Sequence, residues 1–406
     1  MDAARKDDPS DARQRPYPRL SPEGELVTEQ QDRHRHPIGD TFGQEADALV
    51  DPETVVEMPP AEQMSIVGRL REPKTILSIV VPLTIIVIVG FLNSKYLADI
   101  PRDIASANPW LILLAFVIYY LGFPLRGWRW TKLLRGAGYK IKVKDGTEIL
   151  FLSWLVNCIV PAKLGDLYRA YLLKLNSPVS ATKTLGTVFM ERILDLIAIA
   201  ALGILAGYWN FHGSFSTLPE STQLILAAGV VIVVVLIVAL VVMRNFGRRV
   251  ISFLPLPHRV VDFYDRFEEG VFGSVGVKGL PLLGILTIVI WLTEGLRLFF
   301  VVRALGFSDV NLGLSGAMFV SLIGSLLTAV PLTPGGIGLV ETGMGAVLVN
   351  VFNASTPHAL AIVLVDRAIS VFSIVVLGSI AYVISSKPRG GGIDVQEVTP
   401  AYTLTG

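Results

Sequence analysis

Charge, cysteine and histidine are all scarce in this chain. Of its 406 residues only 17% are Asp, Glu, Lys or Arg, against 52% hydrophobic residues, and the mean hydropathy is +0.57. So little charge excludes an ordinary soluble globule and a disordered chain, and favours an integral membrane protein. A single cysteine, Cys158, excludes an internal disulfide, and its apolar setting reads as a small buried hydrophobe. The five histidines are scattered, with only His34 and His36 close together, so no metal is expected. The glycine string near residue 335 lacks the G-K-[ST] ending of a nucleotide-phosphate loop, and no ATP-binding motif is visible. No cofactor and no nucleic-acid partner are expected. The first apolar run lies too far behind a polar tail to be a cleaved leader.

Long apolar runs are what the chain has in abundance. Residues 1 to about 73 are polar, rich in Pro, Asp, Glu, Arg and Gln, and read as a disordered cytoplasmic tail. Beyond them lie Ile76–Leu92, Trp110–Leu125, Thr184–Trp209, Leu224–Val242, Leu280–Val302 and His358–Ile384. Each approaches or exceeds the roughly 20 residues that cross a bilayer as a helix. Two further apolar regions, Gly146–Leu173 and Leu312–Val351, are interrupted by "VPAKLGDLYR" (Val160–Arg169) and "AVPLTPGGIGLVE" (Ala329–Glu341). The predicted fold is all-α, a polytopic membrane helix bundle over residues 74–386, with a cytoplasmic tail at 387–406.

Lys and Arg fit the positive-inside rule if six helices cross and each interrupted region leaves on the side it entered. Arg69, Arg71 and Lys74 precede the first run, and a basic stretch from Arg126 through Arg129, Lys132 and Arg135 to Lys144 follows the second. Arg244, Arg248, Arg249, Arg259 and Arg266 mark another inner segment, and Lys387 and Arg389 put the C-terminus inside. The loops Asn210–Ser221, Gly306–Asn311 and Asn353–Pro357 carry neither Lys nor Arg; Arg303, at an outer boundary, is the exception. The interrupted regions are therefore expected to be re-entrant broken-helix hairpins in the cytoplasmic (inner) membrane, with both termini cytoplasmic. The stretch His258–Phe272 places Val260, Phe263, Tyr264, Phe267 and Val271 on one helical face. It suits a helix on the cytoplasmic surface or a short soluble linker.

The two interrupted regions have matching neighbours. Arg129–Gly138 aligns with Arg297–Gly306, 168 positions on; Val160–Gly165 with Val330–Gly335, 170 on; and Val188–Leu194 with Val363–Ile369, 175 on. Each repeat, about 108–209 and 280–385, is then one crossing, one hairpin and one crossing. A lone span with the surface helix, 222–278, separates them, so the second repeat inserts upside down. Inverted repeats with broken helices are a transporter architecture.

Bare backbone in a bilayer is tolerated only where protein buries it or it lines a wet cavity. Pro331 and Pro334 stop the incoming half-helix, and Gly335, Gly336 and Gly338 permit a tight turn. The next half-helix, from about Ile337, presents unpaired amides and a positive dipole end that would suit a lipid phosphate. The first hairpin adds Lys163 at the same place. Asp166 and Glu341 either cap their half-helices or handle substrate or a proton. Glu191, Arg192, Asp195, Glu294, Arg297, Asp366 and Arg367 lie within spans, where each ion costs about 3 kcal/mol, so each should face a partner or a cavity. Arg192 with Asp195 and Glu294 with Arg297 have pairing i,i+3 spacing. Such pairs either glue helices together or line a central cavity, for which Asn157 is a further polar candidate.

The motifs "NCIVPAKLGDLYRAYLL" (Asn157–Leu173), "ERILDL" (Glu191–Leu196) and "PLTPGGIGLVE" (Pro331–Glu341) occur in that order. Over about Ile76–Ile384 the chain resembles the transmembrane region of lysylphosphatidylglycerol synthases and the related flippase-like membrane proteins. The resemblance implies movement of a lipid, such as an aminoacylated phospholipid, between leaflets; other relatives are associated with lipid-linked sugars or hopanoid lipids. It implies a site drawn from Asn157, Lys163, Asp166, Arg169, Glu191, Arg192 and Asp195 in one half and Gly335, Gly336, Glu341, Asp366 and Arg367 in the other. No soluble aminoacyl-transferase domain follows the last run, so lipid aminoacylation by this chain alone is not expected. The expected function is a lipid flippase or transporter rather than an enzyme. Its partners would be a lipid with an anionic or zwitterionic head group, the bilayer and a separate lipid-modifying enzyme. A membrane-embedded transferase acting on a lipid carrier, or a scaffold for a separate synthase, are the alternatives.

Overall fold

A computed structural model describes residues 100–211, 216, 218–329 and 333–400. The N-terminal tail, the run Ile76–Leu92 and the turn that holds Pro331 lie outside the described residues. The chain is an all-α polytopic membrane protein. Its helices are α1 (Ile100–Ala105), α2 (Pro109–Gly136), α3 (Val143–Ile159), α4 (Leu164–Asn176), α5 (Ala181–Asn210), α6 (Glu220–Phe253), α7 (His258–Gly273), α8 (Leu280–Leu305), α9 (Leu314–Ala329), α10 (Leu339–Asn350), α11 (Thr356–Arg367) and α12 (Ser373–Ile384). A π-helical turn, Ala368–Phe372, joins α11 to α12 in one 29-residue span. Among the described residues, α2, Thr222–Ile251 of α6, α8 and the α11–α12 span are long and apolar enough to cross a membrane. Trp110 and Trp209, 76% and 75% exposed at helix ends, sit where an aromatic belt would meet the head groups.

Local sequence sets the helix boundaries. Pro109 occupies the first position of α2, and the Asn108 side chain accepts hydrogen bonds from the amides of Trp110 (3.0 Å) and Leu111 (3.4 Å). Ser180 caps α5 by accepting from the Lys183 amide at 3.2 Å. Helix α2 continues to Gly136, well past the expected end of its span at Leu125. Arg126 and Arg129, read as part of a cytoplasmic basic stretch, are instead 3% and 1% exposed inside the bundle. Carboxylates on α5 and α8 neutralise them, so the helix need not end at its first cations.

The two halves share their element starts. Helices α4 and α10 begin at Leu164 and Leu339, and α5 and α11 at Ala181 and Thr356; both pairs are 175 positions apart. The most extensive helix contact is between α2 and α8; α5 packs on α9, and α12 packs on α3. The last helix of each half thus closes over the broken helix of the other.

Helix α7 packs on the first part of α5. A Cβ on Gly270 would lie 2.1 Å from the Lys183 carbonyl oxygen and one on Gly186 would lie 2.4 Å from the Phe267 carbonyl oxygen, so the two backbones touch where these glycines face each other. Of the expected apolar face, Val271 is buried, Phe263, Tyr264 and Phe267 are half-buried, and Val260 is exposed.

The segment after α12, expected to be a tail from 387 on, is docked as far as Thr399–Pro400. Strand β2 (Gln396–Glu397) pairs antiparallel with β1 (Tyr139–Lys140). Lys387 pairs with Asp145 at 2.9 Å. The Asn176 side chain donates to the Lys387 carbonyl (2.8 Å) and accepts from the Gly392 amide (3.1 Å). Asn176→Ala should therefore release the strap. Losing those partners costs about 1–3 kcal/mol, so tryptic cleavage after Arg389 is expected to run about tenfold faster than in the parent protein, read by intact-mass spectrometry.

Candidate functional site

Two helix breaks meet at the centre of the bundle. In the first, α3 ends before Pro161, and Ala162 and Lys163 take left-handed backbone (φ 62° and 52°) before α4 begins. Non-glycine residues pay for that geometry, and such strain gathers at functional sites. The Gly165 amide donates to Asn157 Oδ1 at 2.9 Å, tying the outgoing half-helix to the incoming one. A Cβ at Gly165 would lie 2.0 Å from the Ser153 carbonyl oxygen. Gly165→Ala must push α3 and α4 apart, and overpacking of this kind costs about 1–3 kcal/mol; a lower unfolding midpoint in detergent, by fluorescence, would register it.

In the second break, Gly335, Gly336 and Gly338 have φ of 58°, 73° and 88° ahead of α10. Glu341 caps this helix: one carboxylate oxygen accepts from the Gly338 amide at 2.6 Å and the other from Arg367 Nε at 2.6 Å. Of the two readings open for the carboxylates, Glu341 takes the capping one. Asp166 instead accepts from Arg192 Nε and Nη2, both at 2.9 Å, and from Arg169 at 3.5 Å. The breaks adjoin each other, since a Cβ on Gly335 would lie 3.7 Å from the Cα of Cys158.

The ion pairs recur between the halves. Arg129 binds Asp195 (2.6 and 3.1 Å) and Glu191 (3.1 Å), and Arg169 binds Glu191 at 2.7 Å. Arg297 binds Asp366 at 2.8 and 3.1 Å and also pairs with Glu294. Glu191 and Asp366, Arg192 and Arg367, and Asp166 and Glu341 are each 175 positions apart and play matching parts. Arg126 and Glu294 occupy corresponding places on α2 and α8, 168 positions apart, and pair with each other. Arg126 lies over Trp154 (4.9 Å), Arg169 over Trp130 (5.1 Å) and Arg297 over Tyr119 (5.0 Å). Those ring faces compensate guanidinium groups taken out of water. Arg192 and Asp195, expected to pair, do so at a looser 3.5 Å.

These groups border one cavity of about 310 Å³. Of the expected site residues, Asn157, Lys163, Asp166, Glu191, Arg192, Asp195, Glu294, Arg297, Gly335, Gly336, Asp366 and Arg367 line it. Arg169 and Glu341 do not; they stand behind, each holding a lining residue through an ion pair. Arg126, Arg129, Trp291, Ser321, Thr333 and Ser370 line it as well. The alignment of Arg129 with Arg297 carried the signal for one of these; the hydroxyls left none.

Across the cavity and its supports, Arg126, Arg129, Lys163, Arg169, Arg192, Arg297 and Arg367 face Asp166, Glu191, Asp195, Glu294, Glu341 and Asp366. With all groups ionised, one positive charge is in surplus. Lys163 carries it, its ammonium having no hydrogen bond and no ion pair among the described residues. Arg126 Nη1 and the hydroxyls of Ser321, Thr333 and Ser370 are buried without a hydrogen-bond partner. Buried polar atoms without partners are rare, and here they border the same space. The arrangement can accept an anion rich in oxygen atoms. Among the described residues no cluster of His, Cys, Asp or Glu is arranged to hold a metal ion.

Comparison with known proteins adds the family. The UPF0104 membrane protein MJ1078 of Methanocaldococcus jannaschii is 36% identical over 234 residues, 57% of this chain and 94% of that one. The glycosyltransferase AglD of Haloferax volcanii is 25% identical over 319 residues, 71% of this chain, which spans about half of AglD (51%). A UPF0104 membrane protein of Methanothermobacter thermautotrophicus is 24% identical over 353 residues, 80% of this chain and 98% of that one. The model of the lysylphosphatidylglycerol synthase TM region matches residues 76–378. This chain is thus an integral membrane protein of the lysylphosphatidylglycerol synthase transmembrane-region family.

Proposed function

We propose that the protein is a flippase, moving a lipid with a phosphate-bearing head group between leaflets of the cytoplasmic membrane. The observation that carries this reading is the surplus of one cation, Lys163, with unpartnered hydroxyls, in a charged cavity where two helix breaks meet. A phosphodiester head group is a monoanion with several acceptor oxygens, and it matches that surplus in sign and number. The cavity, at about 310 Å³, sits at the lower end of the roughly 300–1,000 Å³ that holds a drug-sized molecule. It fits a head group and leaves the acyl chains outside.

In this reading α3–α4 and α9–α10 are re-entrant hairpins that enter from opposite leaflets as parts of an inverted repeat. The matched element starts and the matched ion pairs support it. Arg192 with Asp166 and Arg367 with Glu341 are the pairs a head group would loosen as it passes, one on each side. Both termini are placed on the cytoplasmic side, with the Asn210–Ser221 loop outside.

AglD, named a glycosyltransferase, favours a second reading in which the lipid carries a sugar and a separate enzyme modifies it. Purified protein in vesicles with fluorescent phosphatidylglycerol decides between transport and chemistry. Transfer of label between leaflets with the lipid unchanged supports a flippase; a covalently altered lipid formed from an added donor replaces that reading with an enzyme. Arg192→Ala and Arg367→Ala are each expected to slow transfer at least tenfold, and unchanged rates in both would remove these residues from the site.

A further inference from the structure

A head group held in the cavity needs a wall through which its chains stay in the bilayer. Two seams between the halves are available. Along α3 and α12 the packing is tight: a Cβ on Gly378 would lie 3.0 Å from the Leu155 Cβ. Tyr120 and Ser373 share a 2.7 Å hydrogen bond beside it, and Phe123 and Trp154 pack edge-on next to them.

The seam between α5 and α9 differs in its chemistry. It holds a narrow cleft lined only by aliphatic and glycine residues, among them Ile199, Gly203, Leu322 and Leu326, with α6 covering it at Gly229. Ile199 borders both this cleft and the charged cavity. A Cβ on Gly203 would meet nothing within 4 Å, although Gly203 is buried. Among the described residues one hydrogen bond joins α5 to α9, from Ser315 to Asn210 at the far end of α5. The cover is a single helix with 6% of its span buried.

We infer that the α5–α9 seam, gated by Ile199 and screened by α6, is the portal for the acyl chains of the lipid whose head group occupies the cavity. The inference rests on the flippase reading and assigns it a side. An all-aliphatic cleft that opens from a charged cavity toward a lipid-facing helix matches the two chemistries of one amphiphile, and among the described residues no hydrogen bond between α5 and α9 lies along it. Helix α6, apolar where it covers the cleft and tied to α7 further on by Arg248–Glu268 at 3.4 Å, is the element that would move.

The test uses the full chain in phosphatidylcholine vesicles with phosphatidylglycerol carrying a photoactivatable diazirine on one acyl chain. Adducts are expected on the buried residues Ile199 and Gly203, as well as on the outward Leu205 and Val231, which bulk lipid reaches in any case. In parallel, Gly203→Leu, at a position where a Cβ would meet nothing within 4 Å, fills the cleft and should slow phosphatidylglycerol transfer at least tenfold, with the unfolding midpoint unchanged or raised. Adducts confined to outward residues, or Gly203→Leu transferring at the parent rate, overturn the portal and leave the flippase reading standing. Seam adducts in a protein that moves no lipid would keep the chain site and overturn the flippase.

Discussion

Lys163→Asn should lose lipid transfer and keep its fold. Among the described residues the Lys163 ammonium makes no hydrogen bond or ion pair, and asparagine tolerates the left-handed backbone (φ 52°) better than most residues. Thermal stability in detergent should therefore match the parent. A hydrogen bond to a charged group is worth about 1.5–3 kcal/mol, so loss of the ammonium should slow transfer of phosphatidylglycerol roughly tenfold to a hundredfold. Lys163→Arg, which retains the charge, should recover most of the rate. Equal losses in Lys163→Asn and Lys163→Arg would show that the turn's geometry, not its charge, matters, and a parent-like rate in Lys163→Asn would remove the surplus cation from the mechanism.

Arg129→Met should show the opposite pattern, a failure of folding. Arg129 is 1% exposed and gives hydrogen bonds to Asp195, Glu191 and Thr287 at 2.6–3.1 Å. Removing one member of a buried ion pair costs about 3–5 kcal/mol, because the partner's charge stays behind without compensation. The variant is expected to run as aggregate on size-exclusion chromatography. The double variant Arg129→Met, Asp195→Asn keeps Arg169 with Glu191 and Arg192 with Asp166, removes the surplus charge and should return a monodisperse peak. If Arg129→Met alone unfolds at the parent midpoint, the network is not what holds α2 against α5. Lys163 and Arg129 would thus separate two jobs for charge in this bundle: the proposed binding at the cavity, and holding helices together.

The sequence made much of this legible. Hydropathy placed four of the six expected spans among the described residues, because about 20 apolar residues in a row have few other uses. The run Thr184–Trp209, with Glu191, Arg192 and Asp195 in it, is a long helix but not among them, and Ile76–Leu92 lies outside the described residues. The glycines and prolines located both breaks, because backbone preferences are local. Spacing of 175 residues tied Glu191 to Asp366 and Arg192 to Arg367, and the ion pairs of the two halves correspond at those positions. Burying charge in hydrocarbon is so unfavourable that each such residue announced a partner or a cavity before either was seen.

Other features were out of reach for a linear reading. Arg126 and Arg129 looked like the start of an inner loop, since a cation after an apolar run reads the same whether it meets water or a carboxylate on another helix. Glu294 lies 168 positions from Arg126, and only the contact of α2 with α8 brings them together. Asp166 and Glu341 stand at corresponding positions, yet one binds arginines and the other also caps a helix, a difference set by which amides lie within reach. The docked strap after α12 was invisible because Asn176, which holds it, belongs to a helix about two hundred residues earlier.

By itself the sequence determined that the chain lives in a membrane, where its helices break, and which buried charges need company, because hydrophobic length and backbone conformation are properties of neighbouring residues. Only the tertiary structure decided which charge pairs with which, that Lys163 is left over, and that one seam is aliphatic while the other is locked. Pairing energies fall off within a few ångströms, and distances that short between distant residues exist only once the helices have packed.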